Sequence, residues 1–519
     1  MARINSNIAS LIANANLRRS NADLEVRLER LATGLRINRG KDDPAGLIIS
    51  ERLRSDIQGV NQAIKNADRA SSVIATTESS VSEVNELLNS IKSLIVEAAN
   101  TGAFSPEERE ANQKQIDSAI DSITRISNTA SFGGLKLLNG GLDYVLSNVT
   151  NSEISKVRVN NATFFNQTSV QVDVDVIASA QQGGVYFQGI PAASDSIASS
   201  MQLRITGSDG VTELTFTSDT TLSSIISGVN NQTGFTGVEA AFINGDPTSG
   251  MVFRSDKYGS ESFVSVERIN YTGAGTDPFE LHKFVDGTTI PDFTGGFPWG
   301  SANLTSEAGR QRDTGQDVSA LVNGNLAKGR GLDLSVNSNG LGVDLLLDES
   351  FAIDPAGALS TFHITGGGAM FQIGPQVNPQ QQTNIGIQSV AASQLGGTLA
   401  NGALQFLSSL KSGQGNSISE NVDNGNDFTT AQHILNTAID EISSMRGRLG
   451  AFERNVLDPS VRSMQNAFEN LSASESRIRD ADFATETSAL TRAQILTSAG
   501  TSVLALANQQ SQQVLQLLG

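Results

Sequence analysis

The chain has 519 residues, enough for about three or four domains, so its core is not limited by size. Its 54 acidic and 36 basic side chains give a net charge of −18, which argues against a nucleic-acid partner because phosphate binding depends on Lys and Arg. Cysteine is absent, which excludes disulfides, thiolate metal sites and thiol nucleophiles. Aromatic residues make up only 5%, a composition that favours helical bundles over a ligand-lined enzyme core.

The N-terminal segment has some features of a targeting sequence. Its first 22 residues include Arg3, Arg18 and Arg19 and no acid, as in a transit peptide. However, an apolar stripe continues beyond it through Leu24 and Leu28, as in a folded or assembling helix. We therefore interpret the segment as part of the folded structure, without a cleavable secretory signal. No run of 18 apolar residues occurs, so the sequence predicts no membrane insertion.

Both ends are predicted to be helical, and the middle is rich in glycine. Five of the 49 Gly lie in residues 1–130 and four in 427–519, so 40 lie between them. Apolar residues recur at spacings of three and four in both end regions. The predicted bundle-core positions are Ile57, Ile64, Ile74, Val81, Leu88, Ile91, Ile95, Leu435, Ile442, Met445, Leu449 and Phe452. Each stripe is too narrow to be buried alone, so we expect the first and last parts of the chain to pack side by side.

In chain order, the first helix is predicted over about residues 4–35, a turn at 42–46 and a long helix over about 47–100. A third helix is predicted to begin at the N-cap Ser105, with Pro106 in its first turn.

After this helix the period changes from helical to extended at Gly133 and Gly134, and a hairpin turn is predicted at Asn139 and Gly140.

The middle of the chain, from about residue 170 to 379, is predicted to form one or two β-rich domains. Valines alternate with polar residues over 170–176, as in a half-buried strand. Further strands are predicted at 203–206, 214–217, 238–242, 251–254, 332–336, 343–347 and 370–373, with a short helix at 222–229. Helix is predicted to resume over 428–456, to break at Asp458 and Pro459, and to continue to about residue 476.

The last 27 residues, 493–519, carry no charge and contain many Gln. A solvent-facing helix normally carries charge, so we expect this one to lie among neighbouring copies of the chain. The alternative is a helix buried within a monomer. A membrane span is disfavoured because the amide side chains would enter hydrocarbon.

No catalytic, metal or cofactor site is predicted. The three His are scattered, and none has a second His at ligand spacing. Asp173 and Asp175 lie on the polar face of a predicted strand, where we interpret them as solvated. The glycines at 366–368 are not followed by the Lys and Ser or Thr of a phosphate loop.

Both ends carry runs that are typical of one family. Residues 475–487 (ESRIRDADFATET) and 507–518 lie near the C-terminus, and residues 31–37, 42–50 and 132–137 lie near the other end. These runs resemble the terminal signatures of the bacterial flagellins, the subunits of the flagellar filament. The central region resembles these proteins only in its general character, not in specific motifs.

The resemblance implies an α+β multidomain fold in three layers. Residues 1–42 and 477–519 would form an inner coiled coil, 43–169 and 400–476 a helical bundle with a β-hairpin, and 170–399 a variable β-rich outer region. The inner-tube assembly positions would be Ile4, Ile8, Leu11, Leu24, Leu28, Leu31, Leu35, Leu496, Val503, Leu506, Val514 and Leu517.

The resemblance also implies a self-assembling structural protein, not an enzyme, that forms a helical homopolymer and needs no cofactor. Its other partners would be the flagellar export apparatus, an export chaperone, the filament cap and the hook-filament junction proteins, and its location the extracellular flagellum. We expect the terminal segments to be disordered in the monomer and to order on polymerisation. Contacts that repeat head to tail without closing would give a filament.

One family property is expected to be lost. Flagellins that activate the vertebrate innate receptor carry an Arg on the long helix and a Glu on the next helix. The corresponding residues here are Ser90 and Gln115, although Leu94 is retained. The resemblance therefore predicts weak or absent receptor activation.

Two alternative functions remain open. A hook-filament junction protein would have similar ends but would cap filaments. The middle region could instead be a filament-displayed adhesin, or a glycan-binding or hydrolytic module, for which Trp299 and scattered Tyr are available for sugar stacking.

Overall fold

The chain divides into two structural units. A computed structural model describes residues 7–100, 102, 105–164, 167–188, 195–197, 199–269, 279–285, 297–338, 340–354, 359–400, 403–423 and 427–518, with the backbone alone for 511–518. The terminal unit comprises Met1–Ala70, Gln372–Gln382 and Arg454–Gly519, and the larger unit comprises Ser71–Phe371 and Thr383–Glu453.

The described helices follow the predicted order at both ends of the chain, with one short helix at 418–423 that was not predicted. They are α1 (Ile8–Thr33), α2 (Pro44–Ala98), α3 (Pro106–Thr129), α4 (Leu222–Asn230), α5 (Thr233–Thr236), α6 (Glu349–Ala352), α7 (Ile418–Asp423), α8 (Thr429–Phe452), α9 (Asp458–Arg479) and α10 (Phe483–Leu518). The predicted turn at 42–46 is too long, because α2 already begins at Pro44. A proline fits there since the first helical residue needs no intrahelical N–H bond.

The start of α3 confirms the predicted cap. The Ser105 hydroxyl accepts a hydrogen bond from the Glu108 backbone N–H at 3.3 Å, and the Glu108 carboxylate accepts one from the Ser105 N–H at 2.8 Å. This reciprocal pair satisfies two backbone donors that the helix itself cannot.

The predicted hairpin turn at Asn139 and Gly140 is wrong. The strands that pair are Ser131–Phe132 and Leu135–Lys136, and the turn between them is Gly133 and Gly134. Both glycines have positive φ, 58° and 87°, as a tight two-residue hairpin requires.

The predicted helix break at Asp458 and Pro459 is also wrong. α8 leads into a π-helical turn, Glu453–Leu457, and α9 begins directly at Asp458. Pro459 can follow because it lies in the first turn of α9 and because the wider turn before it has already left the regular hydrogen-bond pattern.

The strands confirm the predicted β-rich middle region. They are β1 (Ser131–Phe132), β2 (Leu135–Lys136), β3 (Tyr144–Ser147), β4 (Ile154–Ala162), β5 (Val170–Ala178), β6 (Gly184–Phe187), β7 (Met201–Gly207), β8 (Val211–Phe216), β9 (Val238–Phe242), β10 (Met251–Ser255), β11 (Phe263–Arg268), β12 (Glu280–Phe284), β13 (Leu304–Ala308), β14 (Arg310–Thr314), β15 (Ser319–Val322), β16 (Asn325–Leu326), β17 (Lys328–Arg330), β18 (Asp333–Ser338), β19 (Leu341–Leu347), β20 (Ser360–Gly367), β21 (Ala369–Gln372), β22 (Gln382–Ile385), β23 (Thr398–Ala400) and β24 (Ala403–Gln405).

The larger unit contains two antiparallel β cores. In the first, a sheet of order β16-β15-β5-β20-β3 packs against one of order β17-β18-β19-β4, and the alternating valines of β5 point into the core between them. In the second, a sheet of order β13-β12-β6-β10-β9 packs with one of order β14-β11-β7-β8 and with α4. Two separate cores support the predicted one or two β-rich domains.

The larger unit also contains a helical part, in which α2 and α8 run antiparallel. The Lys92 ammonium donates a hydrogen bond to the Asn436 side chain at 2.8 Å, and Arg446 lies 3.7 Å from Glu78. Ser71, further towards the start of α2, bonds to Glu453 beyond the end of α8.

In the terminal unit, the first part of α2 packs against α9. Val60, Ala63, Ala67 and Met464 are buried there, with Phe468 packed against them.

Candidate assembly surface

Helices α1 and α10 form an antiparallel pair in the terminal unit. Near the start of α1, the Asn7 side chain donates a hydrogen bond to the Ala507 carbonyl at 3.0 Å. Farther along, Leu17 lies against Gly500, where an added Cβ would stand 3.2 Å from the leucine side chain. These contacts show that α10 lies alongside α1 over much of its length.

The pair is closed at its far end by backbone hydrogen bonds. The Arg36 N–H donates to the Arg479 carbonyl at 2.7 Å, and the Ala481 N–H donates to the Gly34 carbonyl at 2.9 Å. Gly34 ends α1 in the left-handed conformation, with φ of 71°, which turns the chain towards these partners. Arg479 also forms a 3.0 Å ion pair with Glu51 on α2.

A buried carboxylate holds the two helices together midway. Glu486 on α10 is only 6% exposed, and it accepts hydrogen bonds from Arg27 at 2.9 Å and Arg30 at 3.1 Å, both on α1. Burial alone would raise the pKa of Glu486, but the hydrogen bonds and charges of the two guanidinium groups outweigh it and lower the pKa. The hydrogen bond to Glu486 likewise raises the pKa of Arg27.

The pairing leaves most of the predicted inner-tube leucines uncovered. Leu11 is 65% exposed and Leu506 is 59% exposed. Ile8, Leu28, Leu496 and Val503 are about half exposed, whereas Leu24, Leu31 and Leu35 are half-buried. Ile4 lies outside the described residues, as do the side chains of Val514 and Leu517.

Three exposed apolar residues on the same two helices were missed by the sequence reasoning. They are Ile12, Phe483 and Ile495, each more than half exposed. Ile12 and Ile495 directly adjoin the predicted stripe, next to Leu11 and Leu496, so a wider apolar face would have included them. The apolar face of the pair is thus broader than a two-helix seam needs.

The predicted bundle-core positions lie inside the helical parts of the two units. Ile74, Val81, Leu88, Ile91, Ile95, Leu435, Ile442, Met445 and Leu449 are buried, and Ile57, Ile64 and Phe452 are half-buried. The apolar period of the end regions therefore corresponds to a packed core.

The three positions of the predicted receptor epitope are spread over two helices. Ser90 on α2 and Gln115 on α3 are exposed, and Leu94 on α2 is half-buried.

The described residues show no arrangement suited to metal binding. No three His, Asp or Glu side chains lie together in them as a metal site. The His282 ring packs edge-on against the Trp299 ring, with 5.1 Å between the ring centroids. The pKa of His433 is lowered, mainly by burial. Within the same residues, no helix has the length and hydropathy of a membrane span.

Family profiles match both ends of the chain. The bacterial flagellin N-terminal helical region matches residues 4–142, and the bacterial flagellin C-terminal helical region matches residues 432–518. The matched segments contain α1, α2 and α3 at one end and α9 and α10 at the other.

Curated relatives align with the chain over nearly its whole length. A flagellin of Salmonella choleraesuis is 27% identical over 538 residues, and the B-type flagellin of Pseudomonas aeruginosa is 29% identical over 543 residues, with 99% of both partners covered in each comparison.

Solved structures give weaker matches. The FlgL structure of Xanthomonas campestris is 11% identical with a TM-score of 0.27, and it covers 82% of this chain and 99% of its own. The flagellar cap protein FliD of Escherichia coli is 16% identical with a TM-score of 0.27, covering 49% of this chain and 62% of its own. The helical profiles at both ends and the full-length relatives show that the chain belongs to the bacterial flagellins, the structural subunits of the extracellular flagellar filament.

Proposed function

We propose that the chain polymerises through the α1–α10 pair, with the exposed leucines of both helices packed against neighbouring copies in an inner tube. The observation that carries this proposal is the exposure of Leu11 and Leu506 in a pair that is already joined by hydrogen bonds from Asn7 to Ala507 and from Arg27 to Glu486. Burial of these side chains at about 25 cal/mol per Å² favours association once several copies meet.

We propose three layers for the filament subunit. Residues 1–42 and 477–519 form the inner coiled coil, 43–169 and 400–476 form the surrounding bundle, and 170–399 form the outer region, apart from residues 372–382, which belong to the terminal unit. The two β cores draw most of their residues from 172–364 and support a β-rich outer region, although Tyr144, Ile154 and Val159 from the second range also contribute to the first core. The chain acts as a structural protein without catalysis.

The proposed partners beyond other copies follow from the family. They are the export apparatus, an export chaperone, the filament cap and the hook-filament junction proteins. The subunit leaves the cell without cleavage of a signal peptide. Ser90 and Gln115 would leave the innate receptor without the Arg and Glu it contacts, which a cell reporter exposed to purified monomer would test by giving little or no signal.

The polymerisation proposal is tested with single substitutions on the exposed stripe. Leu11→Asp and Leu506→Asp place a charge on a surface that is open in the single chain, so the monomer should keep its helicity and melting temperature. Seeded growth from heat-dissociated protein, followed by electron microscopy, should fail for both variants. Val211→Asp on β8, a valine that is 48% exposed, is the control and should leave growth unchanged. Filaments of ordinary length from Leu506→Asp would contradict the proposal.

A further inference from the structure

One loop of the terminal unit exposes an apolar side chain that nothing in the described part of its own chain covers. This loop, Gln372–Gln382, connects β21 to β22 and is here called the glutamine loop. Val377 lies at its tip and is 87% exposed, more than any other large apolar side chain that the structure describes.

The glutamine loop is held in one conformation by its own side chains. The Gln381 side-chain oxygen accepts a hydrogen bond from the Gln376 N–H at 2.7 Å. The Gln372 amide donates to the carbonyls of Gly374 at 2.8 Å and Gln376 at 2.7 Å. The Asn378 side chain accepts from the Gln381 N–H at 3.0 Å and caps a helical turn at 379–381. A loop fixed in this way loses little conformational entropy on binding.

The glutamine loop is also docked on α2. Pro375 lies against Gly59, where an added Cβ would stand only 3.2 Å from the proline Cβ. Gly59 directly precedes Val60, which belongs to the core between α2 and α9. The contact with α2 therefore fixes the position of Val377 relative to the helical core of the terminal unit. The α1–α10 pair belongs to the same unit.

The composition of the glutamine loop matches that of the C-terminal end of α10. No Asp, Glu, Lys or Arg occurs between Asp354 and Lys411, and the loop itself contains five Gln. In a chain of net charge −18, an uncharged surface can meet an identical copy without electrostatic repulsion. Residues 493–519, the other uncharged Gln-rich segment, belong to the same unit.

We propose that the glutamine loop is a subunit contact of the filament, in which Val377 inserts into a second copy of this chain. The inference rests on the proposed polymerisation and adds a contact outside the α1–α10 pair. A fixed conformation, high exposure of the apolar side chain and lack of charge each favour such a contact, and the loop combines all three. Val377 contributes apolar burial, and the surrounding amides form the polar rim.

The absence of native Cys allows a direct test of this contact. Val377→Cys and Val211→Cys are each prepared in the full chain and treated with a maleimide, both as monomer and as seeded filament. Cys at position 377 should react at least about tenfold more slowly in filaments than in monomer, because thiol modification requires exposure. Cys at position 211, in the outer β region, should react at similar rates in both states.

A second measurement uses Val377→Asp, with Val211→Asp as its control. The critical concentration for seeded growth should rise by roughly tenfold or more for Val377→Asp, since a buried contact becomes charged. Equal maleimide rates at position 377 in monomer and filament would overturn the contact while leaving polymerisation intact. A wild-type chain that forms no filament would overturn the proposed function and this contact together.

Discussion

Replacement of Glu486 by Gln removes the charge that joins α10 to α1. Both arginines then face a neutral amide, at a position where the wild-type Glu486 side chain is 8% exposed. Removing one partner of a fully buried ion pair costs about 3–5 kcal/mol, and of an exposed pair about 0–1 kcal/mol. The side chains of Arg27 and Arg30 are 26% and 21% exposed, so water can solvate them after the substitution. We therefore expect the substitution to cost about 2 kcal/mol of pairing free energy.

The assay follows from when the pair forms. If α1 and α10 order only as a subunit joins the filament, the whole loss of stabilising free energy appears in the equilibrium between free subunits and subunits added to the filament end. A cost of about 2 kcal/mol then raises the critical concentration roughly 30-fold. This is measured by sedimentation of seeded filaments over a range of protein concentrations.

Glu25→Gln is the matched control, since Glu25 is exposed on α1, the helix that carries Arg27 and Arg30, and it should change the critical concentration by less than about twofold. The reasoning is refuted if Glu486→Gln polymerises at the wild-type critical concentration. A loss of melting temperature in the monomer with unchanged polymerisation would likewise refute it, because the pair would then be complete before assembly.

The lowered pKa of Glu486 predicts that the pairing is fully stable above the ordinary Glu value of about 4.3 and is lost as the pH falls through the lower folded value. Wild-type filaments should therefore dissociate progressively below about pH 4.3 when followed by light scattering, and an identical acid profile for Glu486→Gln would contradict this assignment. Ser105→Ala removes the reciprocal cap of α3 and should cost about 1 kcal/mol of helix stability. Amide hydrogen exchange in the first turn of α3 should therefore accelerate by roughly fivefold. Ser118→Ala, on the exposed face of the same helix, should not have this effect. Gly134→Ala forces a residue with Cβ to a φ of 87° and should speed exchange in the β1–β2 hairpin, whereas Gly415→Ala, in open space, should leave exchange there unchanged.

The elements that the sequence predicts well are those defined by local chemistry. The alternating valines of β5 and the cap at Ser105 each involve residues a few positions apart, and both are found in the structure. The apolar period of α2 also predicts its buried face from Ile74 to Ile95, whereas the predicted positions Ile57 and Ile64 are half-buried.

The elements that the sequence predicts poorly depend on competition between local signals. Two glycine-containing turns were available after α3, and pairing selected Gly133 and Gly134 rather than Asn139 and Gly140. Likewise, Pro459 carries a break signal that the preceding π-helical turn removes.

The long-range contacts could not be predicted from any pattern in the sequence. Arg27 and Glu486 are 459 positions apart, and the heptad stripes of α1 and α10 do not specify which charges face each other. The docking of Pro375 on Gly59 could not be predicted either, since neither residue belongs to an apolar stripe.

The bond between Asn7 and Ala507 spans 500 positions, and this spacing has a consequence for biosynthesis. α1 is synthesised before α10, with more than 400 residues between the two helices. A nascent or prematurely terminated polypeptide therefore lacks the second half of the pair and cannot present the composite leucine face. The leucine face proposed to join other copies is therefore complete only in chains that extend through Ala507.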